Sequence, residues 1–151
     1  MNEWTYKSDL TDNEKLLMAI IRAGEQYKRM VSSVFRKYGL SFPQYNILRV
    51  LNASDHKQTK TTTVSRIMLV PPANMTGLAK RLEKNGYIIR KSDPNDERAT
   101  VLEITEKGIY TLKNIENDKD ACVKKMLEGF TEKEIGDFLY NMKRLLKKRI
   151  N

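Results

Sequence analysis

Thr61-Thr62-Thr63-Val64-Ser65-Arg66-Ile67-Met68-Leu69-Val70-Pro71-Pro72 reads as a short amphipathic helix stopped by paired prolines. Ala73-Asn74-Met75-Thr76-Gly77-Leu78-Ala79-Lys80-Arg81-Leu82-Glu83-Lys84 follows as a second helix, with Met75, Leu78, Ala79 and Leu82 at helical spacing. Asn85-Gly86 suits a left-handed cap at its end, and Tyr87-Ile88-Ile89-Arg90-Lys91 is rich in strand formers. Ser92-Asp93-Pro94-Asn95-Asp96-Glu97-Arg98 is a turn cluster of seven residues, too long for a tight hairpin. Ala99 to Ile104 returns as a second strand with partial alternation. The segment therefore predicts a helix, a turn, a helix and a two-stranded wing with a protruding charged loop.

The same segment holds most of the chain's charge. Lys57, Lys60, Arg66, Lys80, Arg81, Lys84, Arg90 and Lys91 are opposed only by Glu83, which places +7 of the formal +9 between residues 57 and 91. A cationic block between nearly neutral flanks is the footprint of a surface that neutralises nucleic-acid phosphates and releases their counterions.

Outward from this block the chain is helical. Thr11-x-x-Glu14, Ser41-x-x-Gln44 and Thr131-x-x-Glu134 are capping boxes. The first precedes an apolar stripe of Leu16, Leu17, Ile20, Gly24, Tyr27, Val31, Val34, Phe35 and Tyr38. After Thr105 a long helix runs through Ile109, Leu112, Ile115, Cys122 and Met126 to a stop at Gly129, and a last one through Ile135, Phe138, Leu139, Met142, Leu145 and Leu146. The expected fold is mainly α with a small β-hairpin wing (α+β), a winged helix-turn-helix core with long terminal helices. Its expected divisions are an N-terminal helix in 1–39, a nucleic-acid-binding domain in 40–104 and C-terminal helices in 105–151. The terminal helices lie at opposite ends of the sequence and carry apolar stripes that need covering, so 1–39 and 105–151 are expected to form a dimerisation region, the alternative being that they fold back on their own core as a monomer.

The chain is 151 residues long, 40% hydrophobic and 31% charged, enough for a core but with no run near the roughly 20 apolar residues of a membrane span. Met1-Asn2-Glu3-Trp4-Thr5-Tyr6 lacks the basic stretch and apolar core of an export signal, and one cysteine forms no internal disulfide, so a cytoplasmic location is expected. His56 is the only histidine and Cys122 the only cysteine, which indicates neither a histidine-rich metal site nor a nearby Cys-His pair. The seven glycines are scattered and form no phosphate-cradling loop. No catalytic residue, metal ligand or cofactor is expected, and the chain is not read as an enzyme. Cys122, inside a helix, is read as a packing residue.

Three stretches in this order make the sequence resemble the MarR (multiple antibiotic resistance regulator) family of winged helix-turn-helix transcription factors. Leu40-Ser41-Phe42-Pro43-Gln44-Tyr45-Asn46-Ile47-Leu48 is similar to the family's second helix, and Met75 to Ile88 to its recognition helix and following strand. Asp96-Glu97-Arg98, five residues, Ile104, Thr105 and Gly108 match its wing signature. Two positions depart from the pattern: Gly77 stands where arginine is common after the recognition-helix threonine, and Glu97 where the wing has a second basic residue.

The resemblance implies a homodimer binding a pseudo-palindromic double-stranded DNA operator, acting as a ligand-responsive repressor. It implies that the helix opened by Pro72 enters the major groove, with Pro72, Ala73, Asn74, Thr76 and Gly77 nearest the base edges and Lys80, Arg81 and Lys84 at phosphates. Asn74 either pairs with adenine or bonds backbone amides at the helix start. Of Thr61, Thr62 and Thr63, one is expected to cap a helix and another, Thr62, to meet phosphate. Arg90 and Lys91 complete the cationic strand. Arg98 is implied to reach the minor groove with Asp96 holding the wing; as turn chemistry alone, the same residues leave Arg98 solvated. The resemblance further implies a small aromatic or phenolic effector, for which Tyr27, Tyr38, Tyr45 and Arg49 offer aromatic walls and a cation. The competing reading is a winged-helix interaction module that docks RNA or an acidic protein.

Overall fold

A computed structural model describes residues 8–148, so the reading of Met1–Tyr6 lies outside the described residues. Helix α1 (Asp12–Arg36) is followed by α2 (Phe42–Asn52), strand β1 (Gln58–Lys60), α3 (Thr61–Met68) and α4 (Pro72–Lys84). Strands β2 (Ile88–Asp93) and β3 (Asp96–Ile104) then lead into α5 (Glu106–Met126) and α6 (Glu132–Lys147). Among the described residues no helix is long and apolar enough to cross a membrane.

The helix starts lie where the sequence offers caps. Thr11 with Glu14, Ser41 with Gln44 and Thr131 with Glu134 form reciprocal capping boxes at α1, α2 and α6. Thr105 caps α5 by accepting from the Gly108 amide at 3.2 Å. Gly86 (φ +76°) and Gly129 (φ +89°) take the left-handed conformation after α4 and α5.

Three expectations are corrected. The wing is not a lone hairpin: β1 pairs antiparallel with β3, giving a three-stranded sheet in the order β1-β3-β2. Nor is the wing turn long. Asp93 pairs with Asp96 across only Pro94 and Asn95, because the Asp93 carboxylate accepts from the Asn95 amide at 2.8 Å and closes the turn locally. Finally, no threonine caps α3. Since β1 runs directly into that helix, Lys60 takes the cap position without a side-chain cap, and the Thr61 hydroxyl instead donates to the Thr100 carbonyl at 2.9 Å.

The core is continuous across the expected divisions at 39/40 and 104/105. Val31, Val34 and Phe35 of α1 and Ile115 of α5 are buried with Ile47, Leu48 and Leu51 of α2, Val64 of α3, and Leu102 and Ile104 of β3. Phe35 stacks on Tyr45 with ring centroids 3.9 Å apart. Outside this core, Leu16, Leu17 and Ile21 of α1 stay exposed, and α6 buries no residue at all.

The sheet and α5 meet at Gly108, and this contact explains why glycine stands three residues after Thr105. A Cβ there would lie 2.6 Å from Ile104 Cγ1 and 2.7 Å from the Tyr87 carbonyl oxygen. The Thr105 hydroxyl donates to the Gly86 carbonyl at 2.7 Å in the same junction. Gly108→Ala should therefore destabilise the fold by about 1–3 kcal/mol through overpacking. The check is thermal unfolding by circular dichroism, where a midpoint lowered by several degrees is expected and an unchanged midpoint refutes the close approach.

Candidate nucleic-acid interface

Met75, Ala79 and Leu82 are buried and Leu78 half-buried, so one stripe of α4 is anchored in the core. Helical geometry then turns the opposite side outward. Pro72, Ala73, Asn74, Thr76, Lys80, Arg81 and Lys84 are exposed and Gly77 half-buried. Ala73, Asn74, Gly77 and Arg81 line one concavity with Pro43, Val70 and Leu78. Pro72 and Thr76 lie on the other flank, in a cleft shared with Thr62, Arg90 and Arg98. Of the expected wing and strand residues, Arg90 and Arg98 thus stand on the same cleft as Thr76, whereas Lys91 and Asp96 line neither concavity.

The first turn of α4 has no side-chain cap, and the Asn74 side chain has no hydrogen-bond partner among the described residues. Its amide is therefore available. The Thr76 hydroxyl donates to the Pro72 carbonyl at 3.2 Å, which leaves its oxygen lone pairs and methyl group outward. A Cβ at Gly77 would meet only Arg81, at 4.0 Å, so packing alone does not demand glycine there.

The cations divide into two kinds. Arg90 donates from Nε to Glu83 Oε2 at 2.7 Å and from its backbone amide to Oε1 at 3.2 Å, and this holds the Glu83 carboxyl below the usual range. Lys91 pairs with Glu103, and Lys60 with Asp93. By contrast, Arg66, Lys80, Arg81, Lys84 and Arg98 make no ion pair among the described residues. Asp96 accepts from the Arg98 amide at 3.1 Å, a turn bond that shapes the start of β3. Sequence reasoning missed Lys60, Glu83 and Asp93 as partners. Lys60 and Asp93 are far apart in the chain, and only the path of β1 beside β3 unites them.

Elsewhere, Tyr45 and Arg49 line a crevice between α2 and α5 with Ile109, Leu112, Lys113 and Lys119. Tyr27 packs edge-on against Phe42, and the Tyr38 hydroxyl donates to the Asn114 carbonyl at 3.2 Å, so neither lines that crevice. Cys122 is half-buried, its sulfur 4.0 Å from the Met30 carbonyl oxygen. His56 is exposed. Among the described residues no group of three or more His, Cys, Asp or Glu side chains is placed to hold a metal ion.

Residues 29–115 match the family model of the transcriptional regulators SarA/Rot. The chain belongs to the SarA/Rot family. It is 27% identical over 121 residues to the HTH-type transcriptional regulator MhqR of Bacillus subtilis, covering 80% of this chain and 82% of that protein. Its fold is that of MarR-family regulators: it superposes on AbsC of Streptomyces coelicolor with a TM-score of 0.82 at 16% identity, over 93% of this chain and 97% of that one. Sco3205 of the same organism, solved in complex with DNA, gives a TM-score of 0.80 at 21% identity over 93% and 89% of the two chains. This SarA/Rot member is thus a winged helix-turn-helix, DNA-binding regulator of transcription, in line with the sequence resemblance.

The Glu83–Arg90 pair joins α4 to β2. Because the folded carboxyl titrates below its unfolded value, the pair's contribution is complete above that unfolded value, about pH 4, and is lost as pH falls through the folded one. NMR amide shifts at Arg90 should stay flat from neutral pH to about 5 and move only at more acid pH. Movement between pH 7 and 5 would contradict the pairing.

Proposed function

We propose that the protein binds a pseudo-palindromic operator in double-stranded DNA as a homodimer and represses transcription by occluding a promoter in the cytoplasm. In this reading residues 40–104 read the duplex, while 1–39 and 105–151 form the dimerisation region. Pro72, Ala73, Asn74, Thr76 and Gly77 face base edges in the major groove. Lys80, Arg81, Lys84 and Thr62 meet phosphate, and Arg98 enters the minor groove, its approach shaped by Asp96. Arg90 and Lys91 border the same surface, where their carboxylate partners temper their charge.

The observation that carries the reading is the cleft shared by Thr76 of α4 and Arg98 of the wing, with Lys80, Arg81 and Lys84 exposed elsewhere on α4 and unpaired among the described residues. Unpaired cations around neutral hydrogen-bonding side chains suit a duplex, where phosphate contacts position and base contacts specify. The dimer is supported by apolar side chains left in water: Leu16, Leu17 and Ile21 on α1, and Phe138 at 56% and Leu139 at 53% exposure on α6. The α2–α5 crevice, with Arg49, Lys113 and Lys119 beside Tyr45, suits a small aromatic or phenolic anion as effector. Such a ligand changes DNA affinity only through unequal affinity for two conformations.

A mobility shift with the chain's own upstream region, titrated with salt and nonspecific competitor, tests the operator. A sequence-dependent complex is expected; binding only to RNA or to an acidic protein would replace this reading with that of an interaction module. Arg98→Ala should weaken binding across sequences and reduce the salt slope by about 0.9 for each protomer, whereas Asn74→Ala should cost about 1–3 kcal/mol per half-site and relax one base position in each. For the dimer, Leu139→Asp should halve the particle mass in solution scattering. A wild-type chain that scatters as a monomer rejects the assembly.

A further inference from the structure

The strand β2 alternates correctly until its end: Ile88 is inward, Ile89 outward, and Lys91 and Ser92 are then both exposed before Asp93 turns in. The register shifts between Ser92 and Asp93, and this irregularity reverses the alternation so that Asp93 is only 6% exposed. Its Oδ1 accepts from the Asn95 amide at 2.8 Å, and its Oδ2 lies 2.7 Å from Lys60 Nζ. Lys60 ends β1, pairs with Val101 of β3, and is the residue from which α3 departs. The adjoining Thr61 hydroxyl is bonded to Thr100. The wing turn is thus strapped to the entrance of the helix-turn-helix.

We propose that Lys60 and Asp93 are a positioning pair: they fix the wing turn against the start of α3, so that Arg98 is held opposite Thr76, and Lys60 commits its charge to this pair instead of to phosphate. The proposal rests on the operator reading and deepens it. The charged groups that face Lys60 are Asp93 and, further off, Asp96, both of which favour its protonated form. The Asp93 carboxyl is held below the usual range by Lys60 and by the Asn95 amide. An acid set inward beside a lysine, with both oxygens occupied, orders a turn; it does not leave a cation free for a duplex.

The test has two arms. In the free protein, amide hydrogen exchange at Asn95 and Arg98 should quicken in Lys60→Met and in Asp93→Asn while Leu102 and Ile104 keep their protection; unchanged wing amides in both variants overturn the pair whatever the DNA does. In the operator assay each variant should weaken binding about tenfold, as expected when a charge-assisted hydrogen bond is lost. The slope of log K against log salt should stay at the wild-type value, and Lys60→Arg should restore affinity. Arg98→Ala serves as the contrast, with its slope reduced by about 0.9 for each protomer. If Lys60→Met lowers the slope as Arg98→Ala does, or Asp93→Asn tightens binding by releasing a phosphate-seeking lysine, the proposal is wrong. A wild-type chain without a sequence-dependent complex would reject the operator reading, and the exchange arm would still decide the pair.

Discussion

The rotation of α4 about its own axis is the constraint on which the rest of the surface depends. Met75, Ala79 and Leu82 are essentially buried, and turning the helix by one residue, about 100°, would bring Met75 and Leu82 into water. Large apolar side chains lose about 1.5–3 kcal/mol each on such exposure, so the penalty rivals a sizeable part of a domain's net stability. One outward set therefore remains: Ala73, Gly77, Lys80 and Lys84 in its middle, with Asn74 and Arg81 on one side and Thr76 on the other. Core packing decides which side chains a duplex would meet.

Ion pairing refines what charge counting along the chain suggests. The partners of Lys60 and Lys91 are Asp93 and Glu103, both outside the window from 57 to 91, so the folded surface is less cationic than that window's +7. Screening makes the difference matter. With a Debye length of about 8 Å at physiological salt, a phosphate responds to nearby groups and not to the chain's total. Among the described residues, the cations of that window that make no ion pair are Lys57, Arg66, Lys80, Arg81 and Lys84, three of them on α4, and Arg98 of the wing makes none either. Glu83 adds to this by drawing Arg90 toward the base of the wing.

What was legible in the sequence was local. The capping boxes, the proline break before α4, the Gly86 stop and the Thr105–Gly108 spacing each depend on residues within a few positions, and each folds as its chemistry dictates. What was hidden depends on pairings distant in sequence. Gln58-Thr59-Lys60 has no strand signature strong enough to stand alone, and becomes β1 because β3 offers it an edge. The length of its polar run argues against a tight wing turn, yet Asp93 closes it within two residues. Leu69 is a further case. It caps α3 in the left-handed conformation, φ +53°, where a bulky side chain gives no hint of such a backbone, and the Val70 amide returning to the Ser65 carbonyl at 3.1 Å holds it there.

The outer helices raise a question of rigidity more than of adhesion. At 25 residues α1 spans about 38 Å, with one end buried through Val31, Val34 and Phe35 and the other carrying exposed Leu16, Leu17 and Ile21. An assembly made through the exposed end would therefore be joined to the proposed DNA-reading surface by a single unbroken helix. The same is true of α5, which begins near the Gly108 junction with the sheet and passes the Tyr38–Asn114 hydrogen bond to the turn that ends α1. Tyr87 closes the triangle by donating to the Tyr38 carbonyl at 2.8 Å, so α1, α5 and the strand after α4 meet at one joint. In the proposed dimer the spacing between two α4 helices would be set by this joint, and the crevice holding Tyr45 and Arg49 lies on the α2–α5 side of it. A molecule wedged there would bear on the angle between the reading surface and the outer helices without touching α4.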